Sequence, residues 1–203
     1  MSFYMVNGLI QGSHKWHQWR RGVIGASDAP TIIGENPWKS EKYLMREKLG
    51  QTKPFSGNSA TREGHQLEPI ARKTLSEDFC IDFKPAVIQD ADIPYLAASL
   101  DAISDDGELI CEIKCGEKAY DFTKTKNKVP PYYMAQLQHM MMVSEHQSLV
   151  FAAFRPRLPL VTIQVDRDDS YIERIREAEI SFMDELVSRG HQAQDSFAGT
   201  LVL

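Results

Sequence analysis

Ile93-Pro94-Tyr95-Leu96-Ala97-Ala98-Ser99-Leu100-Asp101 is an apolar run closed by a carboxylate, and Leu109-Ile110-Cys111-Glu112-Ile113-Lys114 is a second run in which charged residues alternate with hydrophobes. The turn signal Asp105-Asp106-Gly107 lies between them, so the two read as strands of one β-hairpin. Side chains on a strand alternate faces, which puts Glu112 and Lys114 on one face and Leu109, Cys111 and Ile113 on the other. The hairpin brings Asp101 beside Glu112. Two carboxylates are hard oxygen ligands, and Mg2+ prefers one or two of them together with waters and phosphate oxygens. Such an ion lowers the pKa of its water and polarises a phosphate, while a neighbouring lysine stabilises charge in the transition state. A second acid-x-Lys sequence, Asp82-Phe83-Lys84, is set aside because Lys84 precedes Pro85 and no acidic partner lies a hairpin away.

Outward from the hairpin, helices are predicted from Ser13 through Trp16 and Trp19, from the start signal Ser27-Asp28-Ala29-Pro30, over 40–49 with Gly50 as its stop, over 61–79, over 131–144 and over 168–188. Pro69 is expected to kink or split the 61–79 helix, whose core line is Leu67, Ala71 and Leu75. Strands are predicted over 86–89, 93–100, 109–114, 149–154 and 160–165. Strands interleaved with helices imply an α/β fold, a central mixed sheet with helices on both sides. Ile172, Ile175, Phe182 and Leu186 mark the last helix as structural. Trp16 and Trp19, at helical spacing, read as core.

The 203 residues are 42% hydrophobic, enough for one sizeable core, so a single domain over 1–203 is expected. The start of the chain lacks the charged and apolar regions of a signal peptide, and no run is long enough to cross a bilayer. A soluble, cytoplasmic protein is the expectation. Cys80, Cys111 and Cys115 lack paired zinc spacing and are too few for an iron–sulfur cluster; buried reduced thiols are expected. The formal charge of −5 argues against broad adhesion to nucleic acid. Locally, Lys114, Lys118, Lys124, Lys126 and Lys128 face only Glu117 and Asp121, a charge of +3. This run is either a solvated loop or a DNA contact lining a groove.

Two further features have two readings each, and a third has one. Glu68 is either an exposed i,i+4 partner of Arg72 or a member of the carboxylate site. Gln136 shares a helical face with Tyr133 and Met140, as a satisfied core amide or as a cleft residue. Arg20 and Ser27, close to a helix start, make an anion site.

The segments WHQWRRGVIGAS (16–27), EGHQLEPIAR (63–72), AASLDAI (97–103), CEIKC (111–115) and YYMAQLQ (132–138) occur in this order. With them the chain resembles the phage lambda exonuclease family, also called the YqaJ-type viral recombinase nucleases, of the restriction-endonuclease-like PD-(D/E)xK superfamily. The resemblance implies an Mg2+-dependent 5′-to-3′ exonuclease that releases mononucleotides from duplex ends and leaves 3′ overhangs for a single-strand-annealing recombination partner. It implies one or two metals, Mn2+ as a substitute, a homotrimeric ring, and a phage or prophage protein in a bacterial cytoplasm. Asp101, Glu112 and Ile113 fall on the metal-ligand positions, Lys114 on the catalytic lysine, and Glu68 and Gln136 on supporting helix positions. Arg20, Ser27 and Ser99 fall where the family grips a 5′-phosphate. Leu100 replaces the superfamily's proline, a residue of backbone shape only. Gln136-Leu137-Gln138-His139-Met140 lacks the tyrosine of the related Gln-x-x-x-Tyr motif, and His139 is expected to be structural. The alternatives are an endonuclease of the same fold and a non-catalytic DNA-end-binding module.

Overall fold

A computed structural model of the chain describes residues 3–52 and 59–190. The expected single domain, 1–203, therefore includes segments 1–2, 53–58 and 191–203 that lie outside the described residues. The elements run β1 (Phe3–Met5), α1 (His14–Trp19), β2 (Ile24–Gly25), α2 (Ala29–Ile32), α3 (Glu41–Lys48), α4 (Ser59–Phe79), β3 (Phe83–Asp90), β4 (Leu96–Ser104), β5 (Ile110–Lys114), α5 (Glu117–Lys126), a 3-10 turn (Pro131–Tyr133), α6 (Met134–Ser144), β6 (Ser148–Ala153), β7 (Val161–Asp166) and α7 (Asp169–Ser188).

One mixed sheet orders these strands β1-β3-β4-β5-β6-β7, with the two-residue β2 parallel to the start of β4. The β3-β4-β5 meander is antiparallel, and β5 pairs in parallel with β6 after a crossover through α5 and α6. One face carries the larger core, where Leu137 and Met140 of α6 and Ile172, Ile175, Phe182 and Leu186 of α7 meet Leu100, Ile103 and Ile110. On the other face Ala71 and Leu75 of α4 pack on Ala102, Cys111 and Ile113. β5 is therefore covered on both sides, and Glu112 is carried into a buried layer.

Several boundaries differ from the sequence expectation. The strand expected over 93–100 is β4, running on to Ser104, so Asp101 lies within it instead of closing it. Residues 93–95 form a turn, pinned by Asp90 Oδ1, which accepts the N–H groups of Asp92 and Ile93 at 2.9 Å each. The lysine run is largely helical: Glu117–Lys126 form α5, buried through Ala119, Tyr120 and Thr123 and ended by Asn127 in the left-handed region at φ 49°. Pro69 does not split α4, whose 21 residues are continuous; packing of its apolar line outweighs the local cost of proline, about 3 kcal/mol. α2 is only four residues long, and the Asp28 side chain does not cap it. None of α1 is buried, so Trp16 and Trp19 are not core. Cys111 and Cys115 are buried thiols, whereas Cys80 is exposed.

Candidate active site

The β4–β5 ladder pairs Ile103 with Ile110 and Ala102 with Cys111. Where the next rung would be, Asp101 Oδ2 accepts the Ile113 N–H at 2.9 Å. A carboxylate thus stands in for a backbone carbonyl, satisfying a buried donor, and the strands open into a cleft. Glu112, 2% exposed, lies next to Asp101 on β5. Its Oε1 accepts from the Lys114 ammonium and from Gln136 Nε2, the latter at 2.5 Å. Its Oε2 is buried and has no hydrogen-bond partner. Such an orphan is costly unless a cation or donor reaches it.

Burial, then the charge of Asp101, pushes the Glu112 carboxyl up from 4.5 to about 7. The same two causes lift Glu68 from 4.5 to about 7. Burial opposes the Lys114 charge, but Glu112 and Asp101 outweigh it and raise its pKa above the ordinary lysine value. Lys114 is accordingly an ammonium ion, a donor and a fixed charge. It also lies 5.0 Å from the centre of the Tyr133 ring, a cation–π contact that orients it. From α4, Arg72 donates to Glu68 Oε1 and to the Asp101 carbonyl. The i,i+4 pair read from the sequence is therefore real, and it is half-buried at the site.

A cleft of about 440 Å³ brings together Glu68, Asp101, Glu112, Ile113, Lys114 and Gln136 with Arg20, Ser27 and Ser99. Every residue expected in the metal, catalytic and phosphate sets lines it. Lys118, Lys124, Lys126 and Lys128 do not: they are exposed on and just beyond α5. The cationic lining of the cleft is Arg20 and Lys114.

Trp16, read as core, is part of this cleft, and its Nε1 donates to Ser99 Oγ at 3.0 Å. Arg20 lies 5.3 Å from the Trp16 ring centre and donates to Ser27 Oγ at 3.0 Å and to Asp28 Oδ2 at 3.1 Å. Asp28 and Lys48 behind Arg20 were missed by sequence reasoning. The available signal was Lys48 on the same helical stripe as the buried Leu44, where a lysine is out of place. His139 is structural as expected. It is fully buried, with Nδ1 2.7 Å from Glu179 Oε1 and Nε2 3.0 Å from the Ala97 carbonyl.

Among the described residues no group of three or more His, Cys, Asp or Glu side chains is arranged to hold a metal. A site here rests on two carboxylates, Asp101 and Glu112. The unpaired Glu112 Oε2 supplies a ligand atom of the hard, anionic kind that Mg2+ takes when waters and phosphate complete its shell. The residues present fit that ion.

Comparison with known proteins gives the family and the fold. The chain is 30% identical over 182 residues to the uncharacterized protein YqaJ of Bacillus subtilis, covering 87% of this chain and 57% of that protein. It is 31% identical over 179 residues to a protein of African swine fever virus, covering 71% of this chain and 50% of the viral one. The chain thus spans about half the length of these curated relatives. Among solved structures it shares its fold with an alkaline exonuclease from Laribacter hongkongensis (TM-score 0.76, 24% identity, 92% of this chain and 98% of that one). It is also similar to a phage-related exonuclease from Haemophilus somnus (TM-score 0.61, 16% identity, 82% and 96%). At these identities the likeness is one of fold, a mixed sheet flanked by helices. The model of the YqaJ-like viral recombinase domain matches residues 15–147, which include every residue assembled in the cleft from Trp16 to Gln136, and the chain belongs to that family.

Proposed function

We propose that this chain is a divalent-metal-dependent exonuclease that hydrolyses one strand of duplex DNA from its 5′ end. The observation that carries the reading is the division of labour on Glu112. Lys114 and Gln136 occupy one oxygen, leaving the other unpaired beside Asp101 in a cleft that also holds Arg20, Ser27 and Ser99. Family membership and the shared fold with two exonucleases support it.

Asp101 and Glu112, with the Ile113 carbonyl, would hold Mg2+, one ion or two, with Mn2+ as a substitute. The bound ion supplies Lewis-acid charge to the scissile phosphate and acidifies a water. The chain's own residues do the rest. Arg72 fixes Glu68, whose carboxyl, pushed up to about 7, suits it to take the proton of the attacking water near neutral pH. Lys114 cannot take that proton because it is already charged; it stabilises charge on the phosphoryl oxygens. Arg20 and Ser27 hold the terminal phosphate, which registers the strand by its end. The exposed lysines 118, 124, 126 and 128 contact the duplex beyond the cleft. By the same reading the enzyme acts as a ring of three copies in the cytoplasm of a bacterial host, and a single-strand-annealing protein receives its 3′ overhang.

Equal amounts of linear and covalently closed circular duplex, incubated with the protein and Mg2+, test the requirement for an end. Loss of the linear form alone is expected. Nicking of the circle would favour an endonuclease on the same fold, and binding without any cutting would favour an end-binding module.

A further inference from the structure

Arg20 crosses the backbone of Gly25 so closely that a Cβ added there would lie 1.6 Å from Arg20 Nη1. Asp28 Oδ2 anchors it: that single oxygen accepts from Arg20 Nη2 at 3.1 Å, from the Gly25 N–H at 3.1 Å and from Lys48 Nζ at 2.8 Å. Lys48 is 6% exposed. Its remaining donors reach the Arg20 carbonyl at 2.8 Å and the Val23 carbonyl at 2.5 Å, so all three ammonium hydrogens are used.

The charges explain why a lysine is buried here. Arg20 paired with Asp28 alone is a neutral unit with little attraction for an anion. Lys48 balances Asp28 from behind, and the triad then carries a net +1 that meets the cleft only through Arg20. A structural tie between α3 and the Arg20–Val23 loop would not need this. An ion pair buried for stability alone is commonly matched or surpassed by apolar packing.

We infer that Lys48 is a positioning residue for the binding of a terminal phosphate monoester: it neutralises Asp28 so that Arg20, clamped over Gly25, keeps its full charge for the phosphate. The inference rests on the proposed reading of the cleft as a nuclease site with a phosphate-binding end. Burial alone would raise the Asp28 carboxyl, but Arg20 and Lys48 outweigh it and hold the group far below the usual range, so it is an anion that needs balancing.

The test is a charge-balance cycle on the whole protein, read as the preference for 5′-phosphorylated over 5′-hydroxyl duplex ends. The preference is measured as a ratio of dissociation constants in EDTA and as a ratio of kcat/KM in Mg2+. Wild type should prefer the phosphate. K48M should lose the preference by tenfold or more, and the double variant D28N/K48M should regain it, since the introduced amide still accepts from Gly25 and Arg20 but carries no charge. D28N alone should be no less phosphate-selective than the double variant. If K48M does not fold, wild type against the double variant carries the test: equal ratios are expected, since both present a net +1 through Arg20, and a double variant far below wild type would overturn the role. Equal ratios in K48M and wild type, or a double variant no better than K48M, would overturn the role of Lys48. A wild-type ratio near one, with duplex still degraded, would instead overturn the phosphate-end reading and the inference built on it.

Discussion

The Asp101 carboxylate accepts the Ile113 backbone N–H at 2.9 Å, so one residue both ends the β4–β5 ladder and faces the proposed metal position. The two roles separate by substitution. D101N keeps an acceptor for Ile113 and removes a charged ligand: its melting temperature should stay close to wild type while activity falls by roughly 100-fold or more. D101A strands a buried donor as well and should cost a further ~1–3 kcal/mol, read by denaturant titration in EDTA. Equal stability of the two variants would argue against the hydrogen bond.

Lys114 should separate chemistry from binding. K114A is expected to lower the cleavage rate by roughly 100–1,000-fold and to leave duplex affinity within a few-fold, measured by anisotropy in EDTA. Parallel losses of both would assign Lys114 to binding.

Glu112 predicts a pH dependence of the metal-free protein. Its folded pKa, about 7, lies above the ordinary 4.5, so the stabilisation it gives is complete below about 4.5 and is lost as pH climbs through 7. In EDTA Glu112 should make the stability fall between pH 6 and pH 8.5 by roughly 1.4 kcal/mol. Mg2+ should restore it at the higher pH, and E112Q should reduce the slope to the part that Glu68 supplies. A metal-free protein more stable at pH 8.5 would contradict this account of the site.

His139 and Glu179 give a prediction about stability alone. Both ring nitrogens face oxygens, Nδ1 the Glu179 carboxyl and Nε2 the Ala97 carbonyl, so a positive charge on the imidazole would have a partner. Burial opposes that charge, but Glu179 outweighs it and raises the His139 pKa. E179Q should destabilise by ~3–5 kcal/mol while the folded protein retains its Mg2+ dependence. A changed metal requirement would make His139 part of the site after all.

The lysines beyond the cleft should act through salt. Replacing Lys124 and Lys126 with alanine should weaken binding to a 20-base-pair duplex and flatten its log–log salt dependence by about 0.9 for each phosphate no longer neutralised. Cleavage of a dinucleotide confined to the cleft should change little. An unaltered slope would remove these residues from the DNA path.

Much of this arrangement was legible in the sequence because its signals are local. The hairpin announced itself by period-2 alternation around Asp105-Asp106-Gly107, and α4 and α7 by their apolar lines. What escaped depends on distant partners. β1 has only three residues and forms because it pairs with 88–90 of β3, and β2 exists only through its parallel pairing with Leu96 and Ala97. The end of β4 was misplaced because a carboxylate ordinarily stops an apolar strand, and only the Ile113 N–H makes Asp101 tolerable within it. α5 looked like a loop because its buried face is small, Ala119, Tyr120 and Thr123 among lysines. Trp16 looked like core because its partner, Ser99, is 83 residues away.

The most direct measurement uses linear duplex carrying a 5′-phosphate on one strand and a label at the 5′ end of the other, with Mg2+ or with EDTA. The account predicts metal-dependent release of mononucleotides from the phosphorylated strand, with the labelled strand left full-length and single-stranded. Internal fragments, digestion from 3′ ends, or equal degradation in EDTA would contradict it.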